Sequence, residues 1–257
     1  MEFSGVLSSI NWGKLLKSTA KILVAILKSL ARSTLRGLRL CIKPVSTFKD
    51  ISENPELSGP VFFICLNLLL TLIQFEVLFS KVYQLRGEVL VKAVKWEETI
   101  HLLLAWRSFT LIMVWLALFA IMWFLMKLLG GQFESYSLFS ALGYIYIIQL
   151  LLSLVDLSFM YVISNITPTL VIHSISEIKR ELQVSLSMDI LYEVFRQLYG
   201  NIWFIKRFYQ WFFNLWSMLL YVSLARAIGN LDWIKASIVG VSSYAIVFFV
   251  FLILRMM

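Results

Sequence analysis

Apolar and polar positions alternate on two different length scales along the chain. Long unbroken apolar runs fall at about 60–80, 109–129, 136–163, 208–225 and 236–254. About 20 apolar residues are needed to cross the hydrocarbon of a bilayer, so each run predicts a transmembrane helix. Ser58-Gly59-Pro60 leads into the first, with Pro60 suited to a first helical turn. Arg107 and Lys127 bracket the second, and Gly130-Gly131 ends it. The third is long enough to require tilt or a break before Asn165 and Pro168 close it. Lys206-Arg207 precede the fourth, and Lys235 and Arg255 flank the fifth. Runs of this length do not suit barrel strands, whose sequences alternate over about ten residues.

The second pattern lies before the first span. Lys14, Lys17, Lys21, Lys28, Arg32, Arg36, Arg39 and Lys43 recur at helical spacings and share one sector. Leu16, Leu23, Leu27, Leu30, Leu38 and Cys41 fall on the other side. This predicts a basic amphipathic helix lying in the membrane plane, its lysines and arginines on anionic lipid headgroups. Covering the cytoplasmic ends of the spans, or binding a partner, are the competing readings. Two connections are long, 81–107 and 164–207, and the second contains another amphipathic stretch around Asp189–Leu198. The chain thus divides into an interfacial segment, 1–58, and a membrane domain, 59–257. The fold class is all-α, a polytopic membrane protein with five transmembrane helices and an N-terminal interfacial helix.

Composition reinforces this reading. Of 257 residues, 60% are hydrophobic and only 15% charged, and the mean hydropathy is +0.83. Soluble domains carry about 25% charged residues, so soluble and disordered classes are excluded. The net charge of +8 concentrates in residues 1–58, with nine basic and four acidic side chains. That asymmetry favours a cytoplasmic N-terminus and, with an odd number of spans, a C-terminus on the other side. The interrupted N-terminal pattern does not read as a signal peptide. The membrane is the plasma membrane for a prokaryotic chain and an endomembrane for a eukaryotic one. Trp96, Trp106, Trp203, Trp211 and Trp233 sit near predicted span ends, where the headgroup zone suits an amphipathic ring. Asn165-Ile166-Thr167 forms a glycosylation triplet too close to the membrane to expect its use.

Chemistry is sparse. His101 and His173 lack metal-ligand spacing, Cys41 and Cys65 suggest neither a disulfide framework nor a metal site, and no nucleophile or phosphate-loop motif occurs. No enzyme activity and no cofactor is expected, and nothing suggests nucleic-acid binding. The candidate intramembrane polar residues are Glu76, Gln149, Asp156 and Asn214. Glu76 and Asp156 lie at similar depth, where two carboxylates could carry protons or a cation or pair with Arg107 or Lys81. Gln149 and Asn214 read as interhelical hydrogen-bond partners.

Several short motifs resemble the Yip1-domain family over about 43–254. They are Lys43-Pro44 with Phe48 and Ile51, Gly130-Gly131, Ser137 with Phe139, Leu142-Gly143-Tyr144, Trp216 with Leu224, Ala227-Ile228-Gly229 and Lys235-Ala236. Eukaryotic members of that family are Golgi and endoplasmic-reticulum proteins that engage prenylated small GTPases in vesicle traffic or membrane shaping. Many prokaryotic members have no assigned activity. With a basic helix in place of a polar N-terminal region, this chain looks more like the prokaryotic group, and GTPase binding is not carried over. The resemblance implies a non-enzymatic organiser or assembly subunit that binds other membrane proteins or itself. The alternative is a small-solute or ion transporter using Glu76 and Asp156.

Overall fold

The computed structural model describes residues 12–79, 82–86, 89–92, 96–166, 170–172 and 203–256. His173, the polar patch at 177–181 and the amphipathic stretch at 189–198 lie outside these, as do the side chains of Lys14 and Lys17. Among the described residues eight helices run in the order α1 (Trp12–Ile42), α2 (Pro44–Glu53), α3 (Ser58–Phe79), α4 (Trp96–Leu128), α5 (Ser135–Tyr144), α6 (Tyr146–Ile166), α7 (Trp203–Ile228) and α8 (Trp233–Met256).

Among the described residues four stretches are long and apolar enough to cross a membrane: Ser58–Val77, Leu104–Leu128, Ser135–Val162 and Phe204–Ile228. The apolar stretch found in α8, Trp233–Phe249, is shorter than these four. The expected connection 81–107 shrinks because α4 begins at Trp96 rather than near Phe109. No Gly or Pro interrupts that segment, and Glu97 and Glu98 sit in the first turn, where the helix dipole favours them. Among the described residues three short strands lie in the connections: β1 (Val82–Arg86), β2 (Val89–Lys92) and β3 (Leu170–Ile172). β1 pairs antiparallel with β2 and parallel with β3, so the sheet order is β2-β1-β3 and it joins the segments that follow α3 and α6.

The third span is broken. Ile145 separates α5 from α6, and its N–H bonds to Leu142 O while its carbonyl accepts from Ile148 N, both three-residue rather than four-residue bonds. No proline causes this. Asn67, fully buried on α3, donates its amide to Phe63 O at 2.9 Å and to Tyr146 O at 3.3 Å. A side chain inserted at a carbonyl beside the break is an adequate cause for such a kink. Gln74 repeats the contact one depth further on, donating to Ser153 O at 2.7 Å. The rising pairs 67 with 146 and 74 with 153 show that α3 and α6 run parallel.

The helix ends sort onto two faces. One face gathers α2, the α4–α5 turn and the α7–α8 turn. Gln132 N donates to Gly229 O, Trp123 Nε1 to Ser135 Oγ at 3.1 Å, and Ser137 Oγ to Ser52 O at 3.1 Å. Gly130 adopts φ +83°, which spares the turn the strain that a side chain would bring. Asp232 caps α8, accepting from Lys235 N at 2.8 Å. The core between the faces is apolar and aromatic: Trp115 stacks on Phe139 with centroids 4.3 Å apart and donates its indole N–H to Phe139 O.

The helices α7 and α8 cross closely at Gly240. A Cβ there would lie 2.5 Å from Val222 N and 2.7 Å from Val222 Cα, both backbone atoms that cannot move aside alone. Gly240→Ala is therefore expected to destabilise the bundle by about 1–3 kcal/mol. Thermal unfolding in mild detergent checks this, with Ser237→Ala on the exposed side of α8 unchanged.

Candidate functional site

The densest polar arrangement sits where the N-terminal helices meet the third span. Arg36 belongs to the basic sector expected to face lipid headgroups. It is instead only 6% exposed and turned inward, which corrects that expectation for this residue. It lies at the edge of the sector, next to Ser33, Gly37 and Leu40, which are buried. Gly37 lets Phe63 of α3 approach closely, and that approach carries Arg36 to the protein side.

Three acceptors answer the guanidinium. Its Nε donates to Asp50 Oδ2 at 3.0 Å, and Nη1 donates to Glu56 Oε1 at 2.9 Å and to Asn54 O at 3.1 Å. Glu56 Oε1 also accepts from Tyr144 OH at 2.6 Å, and Glu56 Oε2 accepts from Ser58 Oγ at 3.1 Å. Ser29 Oγ donates to Ser58 Oγ at 2.9 Å, and Ser140 Oγ donates to Glu56 O at 2.6 Å. One network thus joins α1, α2, the α2–α3 turn and α5. Tyr144 is the last residue of α5, directly before the break.

Burial alone would lower the Arg36 pKa, but the bonds from Tyr144 and Asp50 outweigh it and the net direction is upward. A raised basic pKa contributes stability below its unfolded value and loses it only as pH rises through the folded value. Arg36 therefore stays charged across the physiological range. Nearby, burial pushes the Cys41 thiol up. It donates to Gly37 O, and both Cys41 and Cys65 are free.

Four other basic residues of α1 have described side chains. Lys21, Lys28, Arg32 and Arg39 are exposed, and Lys43 continues them. Beside them on the same outward side lie Val24, Leu35, Leu38 and Ile42, also exposed. Lys43 and Lys49 border an open groove of about 390 Å³ completed by Pro44, Val45 and Ser46.

The intramembrane candidates are not brought together. Glu76 is exposed on α3. Asp156 is half-buried on α6, where it accepts from Tyr209 OH and lies 3.7 Å from Lys206 Nζ. These two partners are on α7, and Lys81, one of the two basic residues expected to pair with it, lies outside the described residues. Gln149 is half-buried, and Asn214 is exposed on α7. The transport reading gains nothing from these placements. Sequence reasoning passed over Asn67 and Glu56 and named Tyr144 only as part of a family motif. The run Asn54-Pro55-Glu56 before a span was the available signal for Glu56, since an acid at a span entrance calls for a basic partner. Of the tryptophans expected at span ends, Trp106, Trp211 and Trp233 are exposed, and the side chains of Trp96 and Trp203 are not described. No group of three or more His, Cys, Asp or Glu placed to hold a metal occurs among the described residues.

Removing Arg36 strands two carboxylates. Arg36→Met is expected to lower stability by roughly 3 kcal/mol, the lower end for breaking a buried pair, because Asp50 is half-exposed. Tyr144→Phe, which deletes one hydrogen bond to a charged group, should cost about 1.5–3 kcal/mol. A double-mutant cycle on thermal unfolding should give non-additive effects, since both groups meet at Glu56 Oε1.

Comparison with known proteins agrees with this architecture. No curated protein and no solved structure matches the chain. The Yip1 domain matches residues 38–254, from the last turns of α1 to near the end of α8. That match covers the three partners of Arg36 and leaves Arg36 itself just outside. Together with the lack of a metal-holding group among the described residues, it is consistent with a non-enzymatic protein. The chain is a multi-span membrane protein that belongs to the Yip1-domain family.

Proposed function

We propose that the protein is a membrane organiser or assembly subunit that holds α1 in the headgroup plane of the cytoplasmic leaflet and binds other membrane proteins. In this reading α8 is a fifth span, the N-terminus is cytoplasmic and the C-terminus lies on the opposite side. The observation that carries it is the division of α1 into two working faces. Ser33, Arg36, Gly37 and Leu40 grip the bundle, while Val24, Leu35, Leu38 and Ile42 stay exposed beside Lys21, Lys28, Arg32 and Arg39.

A helix that served only as a cover would bury its apolar residues against its own protein. An exposed apolar row rimmed by positive charge suits an acyl–headgroup boundary rich in anionic lipid. Each basic side chain near such a surface contributes on the order of 1 kcal/mol of attraction. By sequence spacing Lys14 and Lys17 belong to the same sector, and Lys43 and Lys49 add two ammonium groups at the α1–α2 corner. The internal tie at Arg36 gives the helix a fixed angle to the third span, so α1 can present a set surface to the leaflet or to a neighbour.

Spin labels placed singly at Leu38 and Arg32 of the full chain test this in vesicles. With 30% anionic lipid, the Leu38 label is expected below the phosphates and the Arg32 label near them. Changing Lys14, Lys17, Lys21, Lys28 and Arg39 to Gln should move both outward and abolish the dependence on anionic lipid. Equal, salt-insensitive depths in neutral and anionic vesicles would remove the electrostatic part. Crosslinking with mass spectrometry from the native membrane tests the assembly part, which predicts a stoichiometric partner.

A further inference from the structure

Asn214 lies two residues from the centre of the Phe204–Ile228 span, which places its amide near the middle of the hydrocarbon. The sequence suggests that it bonds to a neighbouring helix of its own bundle. It is instead exposed on α7, bordering the outward surface formed by Trp211, which is 74% exposed, and Leu215. Gln210 and Ser217, four residues before and three after, continue a polar ridge beside it, both half-buried. Among the described residues none of these three side chains has a hydrogen-bond partner. The contrast with Asn67 and Gln74 is direct, since both of those amides are bonded to carbonyls of α6.

An amide facing lipid without a partner is costly, because no water is present to replace the bond. Among the described residues the bundle supplies nothing, which leaves room for a partner from another molecule. We infer that the Gln210–Asn214–Ser217 ridge of α7 is the contact surface for a second copy of this chain in the same membrane. A carboxamide carries a donor and an acceptor on one end. Across a two-fold axis along the membrane normal, two Asn214 amides each donate to the other, which satisfies both without any other residue. A single Asn at the seam of paired helices fixes their register in the same way. The ridge is self-complementary throughout, since Gln210 and Ser217 also both donate and accept. Trp211 and Leu215 add apolar surface on the flank. Arg207, one heptad earlier, comes close to its copy only at the membrane edge, where headgroup phosphates screen it. The inference does not depend on how α1 meets the leaflet.

Single-molecule photobleaching of the full-length chain in vesicles, over a range of protein-to-lipid ratios, measures the dimer fraction. Wild type should shift from one step to two as density rises. Asn214→Leu should weaken association about 3- to 30-fold, and Asn214→Gln should largely restore it. A wild type that is monomeric at every density, or an Asn214→Leu variant that associates like wild type, would overturn the proposal. Disulfide trapping gives a second readout in a Cys41→Ser, Cys65→Ser background. Ser217→Cys is expected to crosslink between copies, whereas Ile238→Cys, exposed on α8, is not. The reverse pattern would also overturn it.

Discussion

A guanidinium held at the entrance of a membrane bundle has to be answered by acids, and much of this architecture follows from how Arg36 is answered. Asp50 and Glu56 supply the charge, Asn54 supplies a carbonyl, and Tyr144 completes the coordination of Glu56. Those groups come from α2, the turn before the first span and the last residue of α5. Satisfying one buried cation therefore sets three elements against α1. The arrangement makes α1 part of the bundle rather than a loosely tethered lipid anchor. Breaking a pair of this kind leaves stranded charge, which is why its geometry is constraining even where its net contribution to stability is modest.

The same tie crosses the edge of the family match. The Yip1-domain match begins at residue 38, so Arg36 reaches from just outside it to Asp50 and Glu56 inside it, and through Glu56 to Tyr144. Tyr144 directly precedes the Ile145 break, and Asn67 bonds the carbonyl just after it. The kink of the third span is thus held from below by the acid that holds α1 and from the side by an amide of α3. A change in the angle of α1 would be felt first at that break, because the helical ladder is already interrupted there.

The spans were legible because hydrocarbon thickness imposes a length and a composition that can be counted. Ser58–Val77, Leu104–Leu128, Ser135–Val162 and Phe204–Ile228 fall where the apolar runs place them. The break at Ile145 was legible only as excess length, since the residue that sets it, Asn67, is remote in sequence. Helix periodicity placed Arg36 in the basic sector correctly, but it could not tell which side of that sector would meet the bundle. Lys21, Lys28, Arg32 and Arg39 stayed outside while Arg36, at the margin, turned inward. The partners of Asp156 were hidden for the same reason: Lys206 and Tyr209 approach through the packing of α7 on α6, not through spacing. For Asn214 the residue type was informative and its surroundings were not, because lipid exposure is a property of the assembled bundle.

The central claim is that the Arg36–Glu56–Tyr144 tie fixes α1 relative to the third span. Pulsed electron resonance between one label at Lys28 on α1 and another at Leu154 on α6, both exposed, measures that relation directly. A narrow distance distribution is expected in wild type. It should broaden or shift in Arg36→Met, while a control pair at Val61 and Leu154, within the bundle, stays unchanged. An α1 distance that is already broad in wild type, or that is unaffected by Arg36→Met, would contradict the account.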